Sequence, residues 1–310
     1  MRKNSALDGA QFGDADETRF AAFEQYRGLL FSIAYRMLGS VADAEDMLQE
    51  TFLRWRLASD PEIRSPRAFL VTIVSRLCIN HLQSARVQRE KYVGQWLPEP
   101  LMTDPASDPL ASVMIDESLS MAFLVLLERL TPAERAVFLL REVFEYEYSE
   151  IADVLGQSET NCRQILRRAR QHVDAERPRF PASAQKQVDL LERFLQAVGG
   201  GDLDGLVSVL SHDVVLHTDG GGKAAAAPNL IHGADHVARA ILGGTRKFTP
   251  ANLEPHIAQI NGEAGIILYL DGKAYSVLTM DSQEERIRSI YFVTNPEKLT
   301  HLPSLPAHSV

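Results

Sequence analysis

Apolar positions recur at helical spacing through the first 175 residues of this chain and at strand spacing after residue 210. From Phe20 to Leu38 the residues Phe23, Leu30, Ile33, Ala34 and Met37 follow one helix face, and Gly39 is placed to end it. Ser40 is a good N-cap for a helix over 41–57, and Ser65-Pro66 opens a third that runs to about Ala85. Pro98, Pro100, Pro105 and Pro109 make 93–109 an extended linker. Helical spacing resumes over 110–129 and again from Thr131-Pro132 to about Arg141. Ser149 then caps a short helix stopped by Gly156, and Ser158 caps a longer one to about Ala175. After Pro178 and Pro181 the pattern changes. Helices fit 185–198, stopped by Gly199-Gly200-Gly201, then 202–210, then 233–243. Strand-like runs fit Val214–Thr218, His256–Ile260, Gly265–Leu270, Lys273–Met280 and Ile287–Thr294, with Asn261-Gly262 and Asp271-Gly272 as hairpin turns. Helices followed by a meander of strands predict an α+β layer fold behind an all-helical first half.

With 310 residues, two or three domains are expected rather than one core. No apolar run reaches the length of a membrane span and the start is polar, so a cytoplasmic protein with no membrane partner is expected, with residues 1–18 as a disordered arm. Cys78 and Cys162 fall in helical patterns and read as buried, reduced thiols. No Cys/His cluster has zinc spacing, so neither metal nor cofactor is expected. The net charge of −9 argues against nucleic acid until it is divided along the chain: residues 63–91 carry 6 basic and 1 acidic side chains, and residues 157–179 carry 6 and 3. Nucleic acid responds to the local field, so two basic islands in an acidic chain are compatible with DNA.

The first island follows a helix on which Asp43, Asp46 and Glu50 recur at i, i+3, i+7. Acidity alone fits a solvated helix face equally well. The string Asp43-Ala44-Glu45-Asp46, with Gln49-Glu50 and Phe52 after it, resembles the segment of bacterial sigma factors of the extracytoplasmic-function type that docks on the largest subunit of RNA polymerase. The resemblance implies polymerase contact by Asp43, Asp46, Gln49 and Glu50. It also implies capture of the melted −10 element by the next helix and its preceding loop, Glu62–Ser65. Arg76 and Asn80 are the candidates there for base contact, and Arg86, Arg89 and Lys91 for phosphate contact.

The second island has helix-turn-helix form: Ser149–Gly156, a turn, then Thr160–Arg170. The second helix would enter the major groove at the −35 element. Ser158, Glu159, Thr160, Asn161, Arg163 and Gln164 would lie toward base edges, and Arg167, Arg168 and Arg170 toward phosphates. Where many family members carry a Val-Lys-Ser-Arg-like run, this chain has Asn161-Cys162-Arg163-Gln164, which leaves its promoter sequence open.

Three further strings mark one subgroup: Trp96-Leu97-Pro98-Glu99-Pro100 in the linker, Asp219-Gly220-Gly221-Gly222-Lys223, and Asn295-Pro296-Glu297-Lys298-Leu299 near the end. As a set they resemble extracytoplasmic-function sigma factors fused to a C-terminal SnoaL-like domain. The implied architecture is multidomain: two all-α sigma domains, region 2 and helix-turn-helix region 4, then an α+β SnoaL-like cone-shaped curved sheet. The expected boundaries are 19–92, a linker 93–112, 113–178, 185–300, and a tail 301–310. Fold relatives of such a sheet include cyclases and isomerases, for which His217, Asp219, His232, Tyr269, Tyr275 and Tyr291 are the candidate cavity side chains, although tyrosine and histidine in strands more often fill core or edge. The expected function is promoter-directed initiation by RNA polymerase core enzyme, without catalysis, controlled in cis by the extension through a contact between the three strings. No separate anti-sigma protein is required, and a small ligand in the cavity is left open. The alternatives are a SnoaL-like enzyme with a DNA-binding appendage, and a helix-turn-helix repressor that acts without polymerase.

Overall fold

In the computed structural model the described residues are 7–58, 63, 65–89, 92–103, 119–173, 184–248, 250, 252–283 and 285–305. They divide between two compact units, one of residues 1–85 with 130–172 and one of residues 86–129 with 173–310.

The first unit is helical. Helices α1 (Leu7–Leu38), α2 (Val41–Leu57) and α3 (Pro66–Arg89) come first in the chain. α1 starts inside the stretch expected to be a disordered arm. Residues 7–18 contain no proline and carry Asp8, Asp14, Asp16 and Glu17, acids that favour a helix N-terminal end. The Ser40 hydroxyl accepts from the Asp43 amide at 3.1 Å, and Gly39 takes φ 66° to turn the chain between α1 and α2. Phe23 and Phe52 meet with centroids 5.0 Å apart, Trp55 meets Phe69 at 5.7 Å, and the Trp55 indole donates to the Arg19 carbonyl at 2.9 Å. Helices α5 (Pro132–Phe138, continued by a π-type turn Leu139–Val143), α6 (Tyr148–Leu155) and α7 (Glu159–Val173) complete the module. Thr131 and Glu134 form a reciprocal capping box at the start of α5, and Gly156 ends α6 in the left-handed conformation at φ 64°.

The second unit is an α+β layer. Its sheet has the order β2-β1-β6-β5-β4-β3, from β1 (Leu210–Asp219), β2 (Ile231–His232), β3 (Leu253–Ile260), β4 (Glu263–Leu270), β5 (Lys273–Gln283) and β6 (Arg286–Val293). β1 and β6 pair in parallel and the other pairs are antiparallel. Helices α8 (Ala184–Gly200), α9 (Leu203–Val209) and α10 (Ala234–Phe248) share a core with one face of the sheet, through Phe194, Leu206, Leu216, Val237, Ile266, Leu278, Met280 and Ile290. The opposite face presents Ile267, Tyr269, Val277, Tyr291 and Val293. Leu97 and Met102 of the linker and Met121 of α4 (Met121–Leu127) pack there. The helix expected over 110–129 is therefore described only as α4, which belongs to the sheet unit rather than to the helix-turn-helix unit. α8 carries on through Gly199 and Gly200 and turns only at Gly201, φ 65°. The turns Asn261-Gly262 and Asp271-Gly272 have both φ values positive, as two-residue hairpins require.

Candidate functional site

On α2, Asp46 and Gln49 are exposed, while Asp43 and Glu50 are half-buried. Asp43 lies 3.6 Å from the His81 ring and Glu50 pairs with Arg54 at 2.7 Å, so part of the acidic row is already matched within the unit. On α3, Asn80 is exposed. Arg76 is also on the surface, but its guanidinium donates to the carbonyls of Val154, at 2.7 Å, and Asp153, at 2.8 Å, at the end of α6. The candidate phosphate contacts Arg86 and Arg89 have side chains outside the described residues, and Lys91 and, in the loop Glu62–Ser65, Glu62 and Arg64 lie outside them altogether.

α7 has one buried side, Cys162, Ile165, Leu166, Ala169 and Val173, and the burial of Cys162 pushes its thiol up from its ordinary value. The opposite side exposes Thr160, Arg163, Gln164, Arg167 and Arg168. Ser158 serves the fold: its hydroxyl accepts from the Asn161 amide at 3.2 Å and starts the helix. The Asn161 side chain donates back to Gln157 at 2.9 Å. Arg163 pairs with Glu159 at 2.8 Å and lies 4.7 Å from the Tyr148 ring, which Arg141 also approaches at 4.9 Å. Arg170 pairs with Glu142 at 2.7 Å, and Arg168 is 3.9 Å from Glu134. Thr160, Arg163, Gln164, Arg167 and Arg168 are thus presented on one exposed helix face, and Arg163 and Arg170 are held by Glu159 and Glu142.

In the sheet unit the three separated strings converge on Asp219, which is fully buried. One carboxylate oxygen accepts from the Tyr92 hydroxyl at 2.6 Å and the Gly221 amide at 3.0 Å. The other accepts from the Leu97 amide at 2.8 Å and the Lys298 ammonium at 2.7 Å. The Asp219 carbonyl accepts from the amides of Thr294, at 2.7 Å, and Asn295, at 3.0 Å. Lys298 also donates to the Leu97 carbonyl and lies 4.1 Å from the centroid of Trp96. Gly221 sits at φ 57°, and a Cβ there would run into the Asn295 side-chain amide. Lys223 and Glu297 form an ion pair on the surface. Leu97, Pro98, Glu99 and Pro100 are buried, the His301 ring nitrogen lies 2.6 Å from the Pro100 carbonyl, and Leu299 joins the same apolar cluster as Leu97.

Several partners carry no signal in the sequence. Tyr92, whose hydroxyl receives from Asn295 at 2.8 Å and whose acidity is suppressed by burial and by Asp219, stands outside all three strings. Asn261 reads as a turn residue, yet it exchanges hydrogen bonds with Leu101: its side chain accepts from the Leu101 amide at 3.1 Å and its own amide donates to the Leu101 carbonyl at 2.8 Å. Met102 then makes a single antiparallel bridge to Ile260 at the edge of the sheet formed by β3.

The candidate cavity residues do not gather under the helices. His217 stacks on Tyr291 with centroids 4.8 Å apart, and Tyr291, Tyr269 and Asp219 all belong to the linker-covered side. His232 is exposed, and Tyr275 reaches the Phe248 carbonyl at 3.5 Å. Burial holds His217 neutral, down to about 4, with His232 and Arg129 adding to the effect. A groove of about 440 Å³ opens on this same side, lined by Met102, His256, Ile257, Gln259, Tyr269 and Leu305 among others. Among the described residues no group of His, Cys, Asp or Glu side chains is placed to hold a metal, and no helix is long and apolar enough to cross a membrane.

Residues 22–87 match the model of sigma-70 region 2, and residues 120–173 match sigma-70 region 4. The chain is 40% identical over 293 residues to the ECF RNA polymerase sigma factor SigJ of Mycobacterium tuberculosis, covering 91% of this chain and 93% of that one. It is 32% identical over 286 residues to the probable ECF RNA polymerase sigma factor SigI of the same organism, covering 91% and 95%. The crystal structure of the Mycobacterium tuberculosis extracytoplasmic function sigma factor SigJ superposes with a TM-score of 0.75 over 91% of this chain and 98% of that one, at 37% identity. Two sigma modules in this order, joined by a linker and followed by a curved α+β sheet, agree with these matches over nearly the full length. The chain belongs to the extracytoplasmic-function sigma factors, which direct RNA polymerase to promoters and initiate transcription.

Proposed function

We propose that the C-terminal sheet domain governs this sigma factor in cis by gripping the linker between its two promoter-reading modules. The observation that carries the reading is the Asp219 node. A single buried carboxylate, with Lys298 beside it, ties the linker at Tyr92 and Leu97 to both glycine loop and tail. The segment so held joins region 2 to region 4, so its attachment sets how far apart and in what orientation the two can work. Interfaces of this kind are partly polar and moderate in size, so a few side chains shift the balance between arrangements. This grip takes the place of a separate anti-sigma protein. The sheet domain is read as non-catalytic: its helix-covered face is lined by aliphatic side chains such as Leu216, Ile266, Leu278 and Met280, while Asp219, Tyr269 and Tyr291 lie on the linker-covered side. On α2, Asp46 and Gln49 are read as facing polymerase, and on α7, Arg163 and Gln164 as facing the −35 bases.

The test is run-off transcription with core polymerase. Trp96→Ala, Gly221→Glu and Lys298→Glu should each change promoter-dependent output while leaving core binding intact, whereas Asp46→Arg should lose core binding with its helical circular dichroism unchanged. Wild-type transcription from all three linker-node variants would rule out control through this node.

A further inference from the structure

The groove of about 440 Å³ lies where three parts of the second unit meet: Met102 of the linker, the tail at Pro303, Ser304 and Leu305, and the strands β3 and β4. Its apolar lining comes from Met102, Ala258, Ile267 and Leu305. Its polar lining is unused. Tyr269 is 3% exposed, yet its hydroxyl has no hydrogen-bond partner among the described residues, and burial pushes it up from its ordinary value. Buried polar groups are as a rule hydrogen-bonded, so this hydroxyl calls for a partner from outside the chain.

The edge of β3 adds a second donor. The Gln259 carbonyl faces the free side of this strand, where it accepts from the Thr103 amide at 3.0 Å. Backbone groups alternate in direction along an antiparallel strand, so the N–H and the carbonyl of Ile257 face the same free side. Ile257 lines the groove, and neither group has a partner among the described residues. An added strand, from a peptide or from a second copy of the chain, finds little here. Thr103 already holds the place opposite Gln259, and Pro255 has no N–H to give, so Ile257 alone offers a full pair. A compact occupant fits better, and the volume falls at the small end of the range of about 300–1,000 Å³ usual for small-molecule sites. The His256 ring stands edge-on to Tyr269 at 5.3 Å, and the Glu254 carboxylate, 4.0 Å from His256, disfavours an anion.

We propose that this groove is a binding site for a neutral, planar molecule of one or two rings with a carbonyl acceptor. The rings lie against Met102, Ala258, Ile267 and Leu305, and the carbonyl accepts from the Tyr269 hydroxyl and the Ile257 amide. The site stands apart from the question of how the linker acts. Its consequence for transcription rests on the control in cis proposed above: an occupant that touches Met102, β3 and Leu305 together fastens linker and tail to the sheet.

The experiment titrates the full chain by calorimetry with 2-acetylnaphthalene, a neutral two-ring ketone. Beside it run 2-ethylnaphthalene, which keeps the shape without the acceptor, and 2-naphthoate, which adds a negative charge. The ketone should bind more tightly than either by about fivefold or more. Tyr269→Phe, which removes the hydroxyl alone, should erase the advantage over the hydrocarbon and change the hydrocarbon's own affinity by less than about twofold. Ser304→Trp, at an exposed position on the rim, should weaken ketone and hydrocarbon together. Circular dichroism matching the parent is expected of both variants, and Ser304→Trp keeps the site testable if Tyr269→Phe fails to fold. No ketone binding up to its solubility, a hydrocarbon or naphthoate that binds as well as the ketone, or ketone binding that Tyr269→Phe leaves unchanged overturns the site. So does a dimer in sedimentation that Ser304→Trp dissociates, which would put a second copy in the groove. In run-off transcription the ketone should alter the output of the wild type and leave that of Tyr269→Phe unchanged. Ketone binding with the expected selectivity but no change in output upholds the site and counts against control through the linker.

Discussion

Asp219 is a buried charge whose cost is offset by one ammonium and three neutral donors, and that arithmetic makes Lys298 more than a surface residue. Removing one partner of a buried pair leaves the other uncompensated, typically at about 3–5 kcal/mol. Lys298→Met is therefore expected to lower the denaturant midpoint strongly. Adding Asp219→Asn should cost less than the sum of the single changes by about 1 kcal/mol or more, the sign of direct coupling. Additive losses in this double-mutant cycle would mean that the pair is adjacent without being coupled. His217 gives a second residue-scale test. Its folded value of about 4 lies below its ordinary 6.5, so between those values the unfolded chain takes up the proton first. Stability from this group is complete above pH 6.5 and is lost as pH falls toward 4. His217→Phe keeps a ring against Tyr291 and should flatten the dependence of the unfolding midpoint between pH 7 and pH 4.5, whereas an equal slope in both proteins would place its origin elsewhere.

At the scale of elements, α7 separates side chains that build the helix from those that read DNA. Ser158→Ala removes an N-cap and should cost about 1 kcal/mol of stability with base preference unchanged. Arg163→Ala should relax selectivity at one or two −35 positions and cost about 1–3 kcal/mol on the preferred sequence. Arg168→Ala should weaken all sequences alike and flatten the salt dependence. Competition binding across a −35 library at several salt concentrations tests the set, and equal losses for Arg163→Ala and Arg168→Ala on every sequence would misplace the reading face. Most elements are legible in the chain because their signals are local: Ser40, Thr131 and Gly156 are caps, and Asn261-Gly262 and Asp271-Gly272 demand a tight turn. β2 is not legible, because two residues, Ile231 and His232, show no periodicity. Nor is the start of β1, where Leu210-Ser211-His212-Asp213 lacks alternation and the pairing with β6 is interrupted between Leu210 and Val215. Tyr92 and Asn261 illustrate the larger limit. Their roles depend on partners 127 and 160 residues away, and nothing in their own neighbourhood encodes those distances. The three family strings escape this limit only because resemblance groups them. That they meet at one carboxylate is a fact of three dimensions.

For the whole molecule, the linker is as much a part of the sheet domain as its own strands. Leu97 and Met121 share a core with Ile267, Tyr269, Val277 and Tyr291. Truncation after about Pro181 would therefore bare an apolar surface on the remaining chain as well as remove one. The shortened protein is expected to bind a hydrophobic dye and to associate at concentrations where the full chain is monodisperse. Removal of residues 300–310 alone, which takes away the His301 contact and Leu302, should have the milder effect in light scattering. A truncated chain as dispersed as the parent would mean that the linker stands on its own.

α4 carries one last consequence. By family it opens region 4, yet its Met121 is set in the core of the sheet domain, so the border between ancestral modules runs through the middle of a unit rather than around it. A fusion with a clean border can be undone by one deletion. Here a deletion at the genetic seam would strip a helix's greasy side, and an exchange of extensions between related genes would have to carry residues 92–129 along with residues 184–305. Recombination in this lineage should accordingly have its tolerated breakpoints near residues 85 and 130, and domain-swap chimeras cut there should fold where chimeras cut at 180 do not.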